Sequence, residues 1–244
     1  MLMVLFSSSA FGRLQSACYP DPNDSDLMAE LRAEFQREGL GDIGDMNSWP
    51  VGAIYLHGWD NILANGSNDE LANREYLKRL SIEYAKKGLR IALPVAQESK
   101  RVRDGRTVLY WSPRVSLEES SLGTRQNSIE GLAKMACSRD GTGDDVELSH
   151  PRALMGYSNG GYKAINLVES MGCRGGYLAG HYTRVIAIGA RTSRSRCNAL
   201  HTDAVHSSAT FSRRVTEYID GWDTTAVWSS PRPILSNRDI TQDR

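Results

Sequence analysis

Gly156-Tyr157-Ser158-Asn159-Gly160 places a serine between two glycines, where the apolar run Arg152 to Tyr157 gives way to a helical pattern with Ile165 and Val168 on one face. A serine hydroxyl is a weak nucleophile until it is presented to its target and served by a base. A tight strand-to-helix turn does the presenting, because it projects Oγ from the carboxyl edge of a sheet. Glycines on either side allow strand and helix to approach where a Cβ would collide, and Gly161 adds another small residue to the same turn. The first N–H groups of the new helix, with its positive dipole end, face any oxyanion that develops there. The chemistry expected is acyl transfer on Ser158.

The elements that must hold this turn alternate along the chain. Leu27, Leu31 and Phe35 recur at helical spacing, with Gly39 as a stop. Val51-Gly52-Ala53-Ile54-Tyr55-Leu56 has the length and composition of a buried strand and ends at His57-Gly58. Ser67-Asn68-Asp69-Glu70 reads as a capping box opening a helix with Leu77, Leu80 and Tyr84 on one face, closed by Gly88. Leu89 to Leu93, Thr107 to Trp111, Arg184 to Ala190 and Pro233 to Ser236 read as further strands. Asn127 to Cys137 and Phe211 to Ile219 read as helices, and 138–150 as a loop. Strands alternating with helices predict an α/β class with a mostly parallel sheet and helices on both faces.

With His57-Gly58 after one strand and Gly156-Tyr157-Ser158-Asn159-Gly160-Gly161 after another, the chain resembles the α/β-hydrolase superfamily, of serine esterase and lipase type, over residues 50–240. The Ser-Asn-Gly-Gly form looks like that of some exported esterases and polyester-depolymerase-like members. The resemblance implies the α/β-hydrolase fold and an oxyanion hole made by the backbone N–H groups of Trp59 and Asn159. It makes His57 a structural loop residue and not the base. The family order of nucleophile, acid and histidine favours Asp239 as the acid, ahead of Asp243; Asp220 or Asp223 fits only under another strand assignment. No histidine follows residue 206. The base is therefore His201 or His206 in an unusual order, or lies on a segment this chain lacks, and the chain is expected to be truncated at its C-terminus, without the final strand. The expected activity is a serine hydrolase cleaving small-molecule or polymeric carboxylic esters without a cofactor. The alternatives are an acyltransferase on the same fold and a non-catalytic binding protein lacking the triad histidine.

Composition narrows the classes further. The 29 Lys and Arg balance the 29 Asp and Glu among 244 residues, which gives no electrostatic case for nucleic acid or an anionic membrane. No apolar run reaches the roughly 18 residues of a transmembrane helix. Met1 to Phe6, followed by Ser7-Ser8-Ser9-Ala10, makes residues 1–18 a partial signal segment that lacks a leading Lys or Arg. Residues 19–244 form a single domain, expected to be secreted or periplasmic and otherwise cytoplasmic. The four cysteines show no Cys-x-x-Cys or Cys/His ligand spacing, so no metal is expected. In an exported chain Cys137, Cys173 and Cys197 supply one disulfide and a leftover thiol; the alternative is isolated buried thiols. The spacing of His201 and His206 is poor for a shared metal, and His150 and His181 read as loop residues. Trp59 and Trp111 are candidates either for a substrate pocket or for packing.

Overall fold

The computed structural model describes residues 15–61, 68–103, 105–118, 125–170, 182–188 and 202–205. In chain order these form β1 (Ala17–Tyr19), α1 (Ser25–Glu38), β2 (Val51–Leu56), β3 (Asp60–Asn61), α2 (Asn68–Ala85), β4 (Arg90–Leu93) and β5 (Glu98–Arg101). They continue as β6 (Thr107–Tyr110), α3 (Ile129–Cys137), β7 (Leu148–Tyr157), α4 (Asn159–Ser170), β8 (Tyr182–Ile188) and β9 (Thr202–Val205). The class is mixed α/β.

Six strands share a sheet in the order β1-β4-β2-β7-β8-β9. Every neighbouring pair is parallel except β1 with β4. Side chains alternate across it, as the strand period of two requires. Ala53, Tyr55, Ile91, Leu93, Ala153, Met155 and Tyr157 join the core beneath α1 and α2. Ile54, Leu56, Ala92 and Leu154 join the core that holds α3 and α4. Burial on both faces explains why β2 and the second half of β7 read as continuous apolar runs.

Local signals set the helix ends. The Asp24 carboxylate accepts from Leu27 N–H at 3.1 Å at the start of α1, and Gly39 stops the helix at φ 68°. Ser128 Oγ accepts from Gly131 N–H at 3.0 Å and caps α3. An ion pair between Glu130 of α3 and the fully buried Arg152 of β7 ties that helix to the strand that carries Ser158.

A second, antiparallel sheet has the order β3-β6-β5. Its strands follow the exits of β2 and β4, so it stands at the carboxyl edge of the main sheet. The sequence reading anticipates β6 but not β3 or β5. Glu98-Ser99-Lys100-Arg101 is polar throughout and is ordered by backbone pairing with β6 rather than by burial of an apolar face. Likewise β1 is too short to announce itself, and β9 falls in a stretch for which the sequence reading assigns no element. β7 starts at Leu148, inside the segment expected to be a loop. The helix expected at 211–219 and the strand expected at 233–236 lie outside the described residues. Among the described residues, no helix is long and apolar enough to cross a membrane.

The cysteine pairing departs from the sequence reading. Cys137, at the end of α3, bonds to Cys18 on β1, across a sequence separation of 119; Cys173 and Cys197 lie outside the described residues. The bond staples an edge strand with one pairing partner to the helix layer below it. Because a long loop is closed, the double variant Cys18→Ala/Cys137→Ala is expected to lose about 2–5 kcal/mol of stability. Urea midpoints under non-reducing conditions check this. A midpoint unchanged from the parent would mean that the crosslink contributes nothing.

Candidate active site

Ser158 is the single residue between the last position of β7 and the first of α4, and its φ is +50°. Among the described residues no other non-glycine has a positive φ. For an L-residue the left-handed region costs roughly 1–2 kcal/mol. Strain of this kind persists only where the surroundings over-determine it. Here the surroundings are two glycines. A Cβ on Gly156 would lie 2.5 Å from the Gly160 carbonyl oxygen and 2.6 Å from Gly161 N. A Cβ on Gly160 would lie 2.5 Å from the His57 carbonyl oxygen and still closer to that of Leu56. The turn is therefore pressed between its own helix and the exit of β2. Tyr162 N–H donates to the Ser158 carbonyl at 2.9 Å and starts the helix. The preceding N–H groups, Asn159's among them, have no carbonyl one turn back to bond.

Parallel register brings the second motif alongside. Leu56 of β2 pairs with Gly156 of β7, so His57-Gly58-Trp59 leaves the sheet beside the Ser158 turn. His57 is only 3% exposed. Its Nε2 accepts from Ala96 N–H at 3.0 Å, which leaves the proton on Nδ1 to donate to the Gly58 carbonyl at 2.5 Å. Burial pushes its pKa down to about 4, against the opposing pull of the Gly58 carbonyl. With both nitrogens engaged and the ring neutral, His57 holds its loop and is not placed to take a proton from Ser158.

That depressed pKa carries a pH prediction. Below about pH 6.5 the unfolded chain takes up a proton at His57 that the folded chain refuses until about pH 4. The stability is fully present above the unfolded value and is lost as pH falls through that window. Between pH 7 and 4.5 the loss through this residue is expected to be about 2–3 kcal/mol. His57→Asn, although less stable at neutral pH, is expected to show a correspondingly flatter acid limb in urea unfolding. An unchanged slope would refute the assignment.

Trp111 joins the two motifs. Its backbone N–H donates to Asn159 Oδ1 at 2.8 Å, and its indole Nε1–H donates to the His57 carbonyl at 2.9 Å. Lys163, on the same face of α4 as Asn159, is buried. Its Nζ donates to the carbonyls of Ser112 at 2.7 Å and Val115 at 2.6 Å, with that of Pro113 at 3.4 Å. Burial pushes the pKa of Lys163 down to about 8, partly offset by Glu98. Between the segment so pinned and α4 lies a cavity of about 820 Å3 that reaches Asn159. Trp59 is 49% exposed, and Lys100 Nζ sits 4.2 Å from its ring centre and 4.6 Å from that of Tyr110.

Ser158, Asn159 and the loop carrying Trp59 thus share one sheet edge. Trp111 lines the cavity; Trp59 does not. Asp239, Asp243, Asp220, Asp223, His181, His201 and His206 lie outside the described residues. His150 sits at the opposite end of β7 from Ser158, near Arg152. Neither histidine of the described residues is therefore placed to serve Ser158. Tyr157, Ile188 and Val205 are level across β7, β8 and β9, so β9 ends at the height of the Ser158 turn. Among the described residues, no group of three His, Cys, Asp or Glu is placed to hold a metal ion. The sequence reading missed Lys163 and the bridging role of Trp111. The helical spacing of Lys163 from Asn159 was its only signal.

No protein-family model and no curated protein matches the chain. Among solved structures it is similar to a C6-C4 SN3 inhibited esterase B from Lactobacillus rhamnosis. The identity is 15%, over 89% of this chain and 72% of that one, with a TM-score of 0.30. A likeness at that score assigns nothing to this chain.

Proposed function

We propose that the chain is a serine hydrolase of the α/β-hydrolase type that cleaves carboxylic esters through an acyl-enzyme on Ser158. The observation that carries the reading is the positive φ of Ser158 at a strand-to-helix turn, jammed between glycines that admit no Cβ. In this reading Ser158 Oγ attacks the acyl carbon, and the backbone N–H groups of Trp59 and Asn159 hold the oxyanion. The bond to the leaving alkoxide breaks, and the proton from Oγ passes through a histidine base to the alcohol. Water then repeats the sequence on the acyl-enzyme and releases the acid. Asp239 is the proposed partner of that base. The neutral, doubly bonded state of His57 supports giving it a structural role. The Cys18–Cys137 disulfide supports a secreted or periplasmic location, because such bonds persist in oxidising compartments.

A fluorophosphonate probe tests this reading, with intact mass and peptide mapping as readout. One adduct on Ser158 is expected in the folded protein and none in Ser158→Ala. A folded chain that stays unlabelled, or equal labelling of the variant, overturns the reading.

A further inference from the structure

We propose that the cavity beside Asn159 takes a planar aromatic group of the substrate that carries a distal carboxylate. This names the substrate class for the site above and rests on the reading of Ser158 as the acylated residue. The cavity, at about 820 Å3, has the size of a ligand pocket rather than a slot for an acetyl group. It reaches Asn159, the residue after Ser158, so a group bound there lies next to the reacting ester. Its apolar lining includes aromatic residues from both walls, Tyr110 and Trp111 from one and Tyr162 of α4 from the other, beside aliphatic ones such as Val115 and Leu117. Tyr162 is 53% exposed, one helical turn beyond Asn159. Aromatic residues on the walls favour a flat aromatic guest over a coiling alkyl chain.

The charge at the cavity points to the second feature. Lys100 and Arg114 both line it, and neither makes an ion pair with a carboxylate among the described residues. Lys100 instead rests over the rings of Trp59 and Tyr110. The Tyr110 hydroxyl donates a hydrogen bond to Glu98 at 3.0 Å, so that carboxylate is already engaged. Lys163 lines the cavity too, but its ammonium is held by backbone carbonyls. Against these cations the described residues of the lining offer one carboxylate, Glu118. A guest carboxylate would complete the site, and the forked guanidinium of Arg114 suits it better than it suits a neutral end.

The test uses three methyl esters: those of 3-(4-carboxyphenyl)propanoic acid on its alkyl acid, of 3-phenylpropanoic acid, and of octanoic acid. Binding to Ser158→Ala is measured by titration calorimetry at low and high salt. The carboxylated ester is expected to bind about tenfold more tightly than the phenyl ester at low salt, and the phenyl ester more tightly than the octanoate. Adding Arg114→Gln is expected to bring the first ratio close to one; because it is a ratio within one variant, a general loss of folding does not mimic it. Equal affinity for the two aromatic esters overturns the carboxylate, and tighter octanoate binding overturns the aromatic group. Turnover of the same esters by the unsubstituted protein separates the two readings. Binding in the expected order without any turnover sinks the role of Ser158 and leaves the cavity assignment standing; turnover without that order does the reverse.

Discussion

Ser158→Ala is expected to lower kcat/KM on a short p-nitrophenyl ester by about ten-thousandfold or more, with the fold intact. The substitution removes Oγ and nothing else, since alanine takes the same left-handed backbone at the same strain. What rate remains would come from the oxyanion donors and substrate binding alone. The companion Ser158→Gly separates catalysis from architecture. Glycine occupies a φ of +50° without the steric penalty of a Cβ, so this variant is expected to be as inactive as the alanine form. It is expected to be more stable, by up to about 1 kcal/mol, once strain relief is set against the greater freedom of glycine in the unfolded chain. Initial rates and urea midpoints on the same preparations check both signs. Activity retained in either variant removes Ser158 from the chemistry. Stability falling in both would mean that the hydroxyl holds the turn together.

How much of this was legible follows from which forces act within a few residues. β2 and the second half of β7 were readable because burial on both faces forces an unbroken apolar run, and Gly39 and Gly88 were readable stops because each adopts a positive φ. The Ser158 turn was readable for the same local reason: strand, glycine, serine, glycine and helix all fall within one short window. Features made by distant pieces of chain left no such trace. Nothing near Cys18 says that its partner is Cys137, because that depends on β1 docking antiparallel to β4 above α3. β5 has no apolar stripe, so its strand character comes from β6. Trp111 read equally well as packing or pocket, and it serves both: its indole is buried and bonded to His57, while the residue borders the cavity. The acid and base stayed open for the same reason. Whether Asp239, His201 or His206 reaches Ser158 depends on where the chain returns, which residue spacing does not encode.

Gly160→Ala is expected to be the most damaging glycine-to-alanine change among the described residues, with a loss of about 3 kcal/mol or more. The added carbon would fall 2.5 Å from the His57 carbonyl oxygen and closer still to that of Leu56, and both atoms are backbone. No side-chain rotamer relieves such a clash, so either α4 or the exit of β2 must move. Both moves reach the site. Shifting α4 carries Asn159 away from Trp111 N–H, and shifting the β2 exit breaks the bond from Trp111 Nε1 to His57. Turnover is therefore expected to fall further than the folded fraction does, a difference that active-site titration with the fluorophosphonate measures. Gly41→Ala supplies the contrast. Its φ is +78°, but its Cβ would meet nothing within 4 Å, so only backbone strain of roughly 1 kcal/mol is expected, with turnover per folded molecule unchanged. If Gly160→Ala proved as mild as Gly41→Ala, the close seating of α4 on β2 could not be what forces Ser158 into its left-handed conformation, and the strain would have to arise within the turn itself.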